Sequence, residues 1–175
     1  EDDFLVLVNP LAAESRTRIA LGSNPDITIT GTFLVIIDFV KPPENRLRIF
    51  QSTPQGVRTV TEKSTAFRPA SVSSEAKWLG GIAAEKLKLE SIETGEILWE
   101  KPSDPLTRGY PSLFILPMAD LVILSSPGQA LFYRLADGGL IRQIATDGVA
   151  DISPDGRRFT TADYPSLTCD LATGS

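Results

Sequence analysis

Residues 131–144, with the sequence LFYRLADGGLIRQI, contain the signal that decides the fold. Leu131 and Tyr133 are apolar residues separated by one position, which is the period-two pattern of a β-strand with a buried face. Asp137-Gly138-Gly139 follows as a tight turn, because glycine adopts a positive φ without a Cβ clash. A second apolar run then covers residues 140–144. The stretch therefore predicts a β-hairpin.

The same hairpin pattern recurs along the chain at intervals of about 40 residues. The turn glycines are Gly56, Gly95, Gly138 and Gly174. The alternating apolar pairs that precede the turns are Leu5/Leu7, Leu47/Ile49, Leu87/Leu89, Leu131/Tyr133 and Leu167/Cys169. The returning strands are predicted over residues 17–21, 57–61, 97–100 and 140–144. Two markers that repeat with one period indicate internal repeats.

The other half of each repeat also predicts two strands joined by a tight turn. These segments lie near residues 27–35, 71–79, 113–122 and 150–159. A complete unit is therefore four antiparallel strands, and a sheet of this kind must stack on its neighbours to bury both faces. Radial stacking gives a β-propeller. The predicted fold class is all-β, a propeller of four-stranded antiparallel blades with four to five blades visible, as part of a larger ring.

The chain is predicted to be a single propeller domain or a propeller fragment. Its approximate units are residues 1–26 (partial), 27–66, 67–111, 112–148 and 149–175 (partial). The count does not close a ring, since the first unit supplies only its last two strands and the last unit stops before its fourth. A fragment of a larger ring is the expectation. The alternative, in which residues 4–8 are not a strand and the ring closes with few blades, stays open.

One segment of the chain carries a family motif. Ser153-Pro154-Asp155-Gly156, followed by Cys169-Asp170-Leu171-Ala172-Thr173-Gly174, resembles a WD40 repeat, with Cys169-Asp170 in place of Trp-Asp. The motif covers residues 149–174 only, whereas the repeat pattern covers most of the chain. The Gly-His dipeptide of the family is absent, and Ser52, Ser91 and Arg134 stand where its Asp would recur. The resemblance implies a divergent propeller that binds proteins without the family's buried Asp–His network.

A second segment resembles another kind of propeller. Residues 93–100, ETGEILWE, are similar to the repeat of quinoprotein-type (PQQ-like) propellers, which often place tryptophan on the outer strand. This resemblance keeps open an enzyme-associated propeller, either a quinone-cofactor domain or the gating domain of a peptidase. Trp78 and Trp99 each lie in a strand-like run, and we predict that they pack between sheets. Stacking on a cofactor is the alternative for both.

Composition excludes several classes of function. The net charge of -5 argues against a nucleic-acid partner, which requires a basic footprint. The absence of histidine excludes Ser-His-Asp triads, Cys-His pairs and histidine-ligated metals, and the single cysteine excludes thiolate zinc clusters. No apolar run reaches the roughly 18 residues that span a bilayer. We predict no enzymatic activity, no cofactor and no membrane insertion, and a cytoplasmic or otherwise intracellular protein.

Three sets of polar residues invite a chemical role, and each has a plainer explanation. Asp147, Asp151 and Asp155 are spread along a strand and its turn, so we predict no metal site. Ser125 and Ser126 lack a histidine base, so we predict no nucleophile. The basic pairs are predicted to be solvated, with contact to an anionic partner as the alternative: Arg16/Arg18, Arg46/Arg48 and Arg157/Arg158.

The loops offer the best candidates for partner binding. In a propeller, the connections between blades and those between the second and third strands share one rim, where partners usually dock. The longest such loop, 102–111, contains tyrosine and arginine, which are enriched at binding hot spots. The residues predicted to contact another protein or peptide are Lys41, Glu44, Arg108, Tyr110, Asp163 and Tyr164. The alternative partner is a second copy, through self-association at an open blade edge.

Overall fold

The chain folds into antiparallel β-strands. The computed structural model describes residues 4–8, 16–22, 25–30, 32–41, 44–65, 68–83, 86–102, 111–153, 155 and 157–171. Within these residues, one short 3-10 helix, Pro117–Ala119, accompanies the strands. The strands are β1 (Phe4–Val8), β2 (Arg16–Ala20), β3 (Pro25–Thr30), β4 (Phe33–Lys41), β5 (Glu44–Thr53), β6 (Gly56–Thr65), β7 (Arg68–Val72), β8 (Trp78–Ala83), β9 (Lys86–Ser91), β10 (Ile97–Pro102), β11 (Ser112–Leu116), β12 (Leu121–Ser126), β13 (Gln129–Arg134), β14 (Leu140–Ile144), β15 (Val149–Ile152), β16 (Arg158–Thr161) and β17 (Thr168–Asp170).

The strands of the described residues pair in chain order into five antiparallel sheets. Sheet 1 contains β1 and β2, sheet 2 contains β3 to β6, sheet 3 contains β7 to β10, sheet 4 contains β11 to β14, and sheet 5 contains β15 to β17. The predicted all-β fold with four-stranded antiparallel blades is confirmed, most plainly in sheets 2, 3 and 4. The predicted hairpin of residues 131–144 is β13 paired with β14. The division of the chain into domain units stays a prediction.

The turns between the third and fourth strands depend on glycine. Gly95 in sheet 3 and Gly138 in sheet 4 have φ values of 72° and 66°, in the left-handed region that favours glycine. The two turns have the same hydrogen bonds: the Gly138 N–H donates to the Arg134 carbonyl at 2.8 Å, and the Gly95 N–H donates to the Ser91 carbonyl at 2.9 Å. The repeated turn sequence therefore encodes a repeated geometry.

Successive sheets pack face to face, and each seam between two sheets contains its own apolar cluster. Ile19 of sheet 1 meets Leu34 and Ile36 of sheet 2, and Val35 and Ile37 from the opposite face of β4 meet Leu79 of sheet 3. The seam between sheets 3 and 4 contains Leu87, Leu89, Trp99, Leu113, Ile115, Val122, Leu124, Leu131, Tyr133 and Leu135. The seam between sheets 4 and 5 contains Ile123, Ala130, Phe132, Val149 and Phe159. Alternate residues of one strand thus serve two seams, as a period of two requires.

The predicted equivalence of the pair Leu131/Tyr133 with the pairs Leu47/Ile49 and Leu87/Leu89 is wrong by one residue. Leu47 and Leu87 face the following sheet, whereas Leu131 and Tyr133 face the preceding sheet. In sheet 4 the side chain that faces forward is Phe132. Both faces of β13 are buried, so the alternation of apolar residues does not show which face is which, and a shift of one residue exchanges the faces.

The last strand of each four-stranded sheet contains a β-bulge. The pairing shifts between Ile49 and Phe50 opposite β6, and corresponding shifts occur in the β9–β10 and β13–β14 pairs. The extra residues are Val60, Leu98 and Ile141, whose exposed fractions are 41%, 40% and 51%. A bulge bends its strand and redirects its side chains. Each outer strand therefore presents an aliphatic side chain to solvent at the same place.

Sheets 1 and 2 are joined by a buried ion pair that the sequence did not predict. Arg48 Nη2 lies 2.7 Å from Asp38 Oδ2, and Arg48 Nη1 donates to the Ala20 carbonyl of β2 at 2.7 Å. The Gly22 N–H donates to Asp38 Oδ1 at 3.0 Å. The side chains of Arg48 and Asp38 are only 7% and 4% exposed. Their bonds to Ala20 and Gly22 attach the end of β2 to sheet 2.

The prediction that Arg46 and Arg48 are both solvated is therefore wrong for Arg48. Arg46 is exposed and pairs with Glu62 on β6. The two arginines share one face of β5, as their spacing indicates, but only Arg48 is enclosed between sheets. The spacing of two residues along a strand shows that they lie on the same face of the sheet. It does not show whether another sheet covers either of them.

Candidate interaction surface

The connections between strands lie at two ends of the sheets. Because neighbouring strands run in opposite directions, the loops between second and third strands lie at the same end as the connections between sheets. We call this the loop end, and we call the other, which carries the tight turns, the turn end. Between sheets 4 and 5 and within sheet 5, the loop end contains residues 145–148 and 162–167. These two segments are the best described part of the predicted rim.

The loop of residues 162–167 is attached to residues 146–148 at its start. The Ala162 N–H donates to the Gly148 carbonyl at 2.8 Å. Asp163 Oδ1 accepts the Asp147 N–H at 2.6 Å, and Asp163 Oδ2 accepts the Thr146 hydroxyl at 2.8 Å. The Asp163 carboxylate thus closes the loop onto the preceding connection through two hydrogen bonds between segments that are distant in the sequence.

The same loop is attached to β16 at its far end. The Thr161 N–H donates to the Leu167 carbonyl at 2.8 Å, and the Leu167 N–H donates to the Thr161 hydroxyl at 3.0 Å. Both ends of the loop are therefore hydrogen-bonded. The segment between them, residues 164–166, is exposed.

Residues 146–148 are in turn fixed to sheet 4 through Ser125. The buried hydroxyl of Ser125 accepts the Val149 N–H at 2.6 Å. Gly148 has a φ of 138°, and a Cβ on it would lie 3.3 Å from Ser125 Oγ, so the approach of the two segments favours glycine. A hydroxyl that accepts a buried backbone N–H acts as a structural link between sheets 4 and 5.

Tyr164 is the most exposed large side chain on this loop. Its exposed fraction is 101%, and Leu167 nearby is 57% exposed. A tyrosine on a loop whose two ends are hydrogen-bonded loses little conformational freedom when it binds, since the backbone is already ordered. The arrangement presents an apolar ring with a hydroxyl group to whatever approaches the loop end.

The electrostatics of the loop keep Asp163 charged. The hydrogen bond from the Asp147 amide, followed by that from the Thr146 hydroxyl, holds the pKa of Asp163 below its ordinary value. Both donors form stronger hydrogen bonds with the ionised carboxylate than with the protonated acid. Asp163 therefore acts here as the anchor of the loop, with its carboxylate directed at the protein.

Of the six predicted contact residues, the structure describes the side chains of Asp163 and Tyr164, which are adjacent in the loop of residues 162–167. Lys41 and Glu44 are Cα partners at the loop end of sheet 2, and their side chains lie outside what the structure describes. Arg108 and Tyr110 lie outside the described residues. The contact role of all six stays a prediction.

The acidic residues near sheet 5 form hydrogen bonds in separate loops and do not converge on one site. Asp155 Oδ1 accepts the Ser153 hydroxyl at 2.7 Å and the Arg157 N–H at 3.0 Å, and these bonds, in that order, lower the pKa of Asp155. Asp147 gives its N–H to Asp163 at the opposite end of the sheet. Within the described ranges, no three His, Cys, Asp or Glu side chains are grouped so as to hold a metal ion.

The prediction that the tryptophans pack between sheets is confirmed for Trp99. Trp99 on β10 is 7% exposed and belongs to the cluster between sheets 3 and 4. Its indole N–H donates to the Leu135 carbonyl of sheet 4 at 2.7 Å, and its ring centroid is 6.2 Å from that of Tyr133. Trp78 is half-buried against the same cluster. The indole of Trp99 thus fills the seam and bonds across it.

No helix in the described part of the chain has the length and the apolar character needed to cross a membrane.

Comparison with known proteins supports the fold and leaves the function open. No family model matches the chain, and no curated protein matches it. Among solved structures, TolB from Acinetobacter baumannii, a β-propeller, matches with a TM-score of 0.60 at 14% identity, covering 98% of this chain and 47% of that one. The CNH domain of AfRom2 matches with a TM-score of 0.56 at 12% identity, covering 93% of this chain and 56% of that one.

The chain therefore has a propeller-like fold, and its five sheets are blades in that sense. It spans about half the length of the two solved structures named above. At 14% and 12% identity the likeness concerns the fold alone.

Proposed function

We propose that this chain is a non-catalytic scaffold of the WD40-like kind, which binds another protein or peptide at its loop end. The observation that carries the proposal is the fully exposed Tyr164 on a loop hydrogen-bonded at both ends. Tyrosine is among the residues that dominate binding energy at interfaces. The propeller-like fold shared with the two solved structures named above supports the same assignment by analogy of fold.

The chemistry of the described residues supports a role without catalysis. The chain has no histidine, and the buried Ser125 hydroxyl is engaged by the Val149 amide. Trp99, the residue of the quinoprotein-like segment, is enclosed in a seam with its N–H bonded to Leu135. These contacts favour binding over the quinone-cofactor form of the enzyme-associated alternative, which predicts a tryptophan available to a cofactor.

The test uses a photo-crosslinking amino acid at position 164, with position 118 as the matched control. Met118 is 86% exposed at the turn end, so it samples the opposite side of the same sheets. We expect a partner to be captured from position 164 and not from position 118. With the purified partner, Tyr164→Ala should weaken binding about tenfold or more, as hot-spot truncations do, and Met118→Ala should leave the affinity unchanged. Equal capture or equal loss at both positions would reject the loop end as the binding surface.

Self-association is a second candidate function, favoured by the outer strands. β6, β10 and β14 are edge strands, and each carries an exposed aliphatic side chain at its bulge. Exposed edge strands pair readily with other chains unless charged side chains block them. We expect the Leu98→Lys/Ile141→Lys double variant to lower the weight-average mass in sedimentation if copies pair through these edges. A wild-type chain that sediments as a monomer at high concentration removes this candidate.

A further inference from the structure

The seam between sheets 2 and 3 contains an open cavity at the turn end. Its volume is about 410 Å³, and its walls are residues 60–61 of β6, residues 76–78 of the β7–β8 turn and residues 91–93 of the β9–β10 turn. We call this cavity the socket. Its size falls within the range of about 300–1,000 Å³ that is usual for ligand pockets.

The repeat shows which group belongs in such a space. Thr61 follows the bulge of β6 and pairs with Ile49, just as Trp99 follows the bulge of β10 and pairs with Leu89. Thr61 and Trp99 are therefore equivalent positions on consecutive outer strands. In the seam between sheets 3 and 4 the indole of Trp99 occupies the space in front of the turns, and in the seam before it a threonine leaves that space open.

The walls of the two seams are built alike. The Ile92 N–H donates to the Lys77 carbonyl at 2.9 Å, and the Leu135 N–H donates to the Asp120 carbonyl at 3.0 Å. Ile92 is therefore the equivalent of Leu135, whose carbonyl accepts the indole N–H of Trp99. By this equivalence, Ile92 on the wall of the socket corresponds to the residue whose carbonyl accepts the indole N–H in the next seam.

The walls of the socket are also rigid. The Ser73 hydroxyl accepts the N–H groups of both Lys77 and Trp78, which fixes the β7–β8 turn. Ala76 in this turn has a φ of 53°, a strained value for a residue other than glycine. Asp120 in the corresponding turn of sheet 4 has a φ of 52°, so a left-handed residue belongs to the geometry of both turns.

The charge at the mouth of the socket selects among aromatic ligands. The Lys77 ammonium is paired with Glu75 at 3.0 Å, and within the described residues Glu93 forms no ion pair. The unpaired charge on the wall is therefore negative. An indole carried between basic groups complements both the cavity and its rim.

We propose that the socket binds a tryptophan side chain of a partner peptide, with lysine or arginine beside it. The site lies at the turn end, so it is separate from the surface around Tyr164 and does not depend on it. Binding would complete the seam between sheets 2 and 3 as Trp99 completes the next.

The test titrates the isotope-labelled full chain with three short peptides and with free indole, following amide shifts by NMR. The probes are acetyl-Lys-Trp-Lys-amide, acetyl-Lys-Ala-Lys-amide, acetyl-Glu-Trp-Glu-amide and indole. We expect the Lys-Trp-Lys peptide to shift the amides of residues 60–61 and 91–93, and to bind at least about tenfold more tightly than each other probe. No shift at these amides overturns the proposal. Equal binding by free indole also overturns it, since the socket would then recognise a small molecule rather than a peptide.

Two variants that alter the socket, with Thr59→Trp as a control, check that the shifts come from the socket. Thr61→Trp should fill the space with the chain's own indole, abolish binding of the peptide and raise the thermal midpoint, whereas Thr59→Trp on the exposed side of the same strand should do neither. Should Thr61→Trp fail to fold, Val60→Lys places a positive charge at an exposed position on the mouth and should weaken binding at least about tenfold. Undiminished binding of the peptide to folded Thr61→Trp or to Val60→Lys would contradict the assignment.

Discussion

Single residues in this molecule act through the seams between sheets. Gly138 is the example with the sharpest geometry, since a Cβ there would lie 2.7 Å from Trp99 Cδ2 and 2.7 Å from Lys101 Cε. Gly95, its equivalent in sheet 3, would place a Cβ in open space at nearly the same φ. The two glycines therefore share a backbone requirement and differ in what surrounds them.

Gly138→Ala should destabilise the protein more than Gly95→Ala. Both substitutions force alanine into the left-handed region, at about 1–2 kcal/mol, and only Gly138→Ala also collides with the indole of Trp99. We expect the difference in unfolding free energy between the two variants to exceed about 1 kcal/mol, as measured by urea denaturation. Equal losses would mean that Trp99 does not lie against the β13–β14 turn.

The buried pair of Asp38 and Arg48 gives a second prediction at this scale. Arg48→Met should lower the unfolding free energy by about 3–5 kcal/mol, because it leaves the Asp38 carboxylate buried without its partner. Arg46→Met, two residues away on the same face, removes only an exposed pair with Glu62 and should lower it by less than about 1 kcal/mol. Similar losses in urea denaturation of the two variants would show that sheet 1 does not cover Arg48.

At the scale of elements, the anchored loop depends on the charge of Asp163. The pKa of this group is lowered in the folded chain, so its contribution is complete above the ordinary value of 3.8 and is lost as the pH falls through the lowered pKa. The Asp147 N–H donates to Asp163, so its NMR chemical shift should follow the ionisation of that carboxyl. We expect this shift to change with pH with a midpoint below 3.8. Asp163→Asn should remove this titration, and a midpoint at or above 3.8 would contradict the loop anchor.

The elements were also the level at which the sequence was most informative. The alternation of Leu47 with Ile49 and the turn at Gly138 predicted strands and hairpins, because both signals depend on local geometry alone. The face of Leu131 was predicted wrongly, since both faces of β13 are buried and one residue of shift exchanges them. Arg48 was predicted as solvated because its cover comes from sheet 1, which is distant in the sequence.

The candidate binding surfaces also differ in how much of them could be predicted from the sequence. Tyr164 could be proposed from its place in a proline-containing loop, while the anchoring role of Asp163 depends on Thr146 and Asp147 in another connection. The socket has no signal in the sequence by itself. It emerges only when the bulges align Thr61 with Trp99, and bulges are not visible in a pattern of apolar residues.

At the scale of the whole molecule, successive sheets are stable because they bury their faces against each other. A single sheet of this kind has two apolar faces and cannot be stable alone. The Asp38–Arg48 pair of sheet 2 binds the end of β2 through the Ala20 carbonyl and the Gly22 N–H, in a chain whose lack of histidine rules out the Asp–His network of the WD40 family. The link between sheets 3 and 4 is the indole of Trp99, bonded to the Leu135 carbonyl.

The environment of Trp99 tests this stacking most directly. In the Trp78→Phe variant Trp99 is the only tryptophan, so its fluorescence reports on the seam between sheets 3 and 4 alone. We predict blue-shifted emission that acrylamide quenches weakly in buffer and strongly in urea, with an unfolding transition that coincides with the loss of the far-ultraviolet circular dichroism signal. Quenching of Trp99 in buffer that is as strong as in urea would contradict the stacked-sheet account.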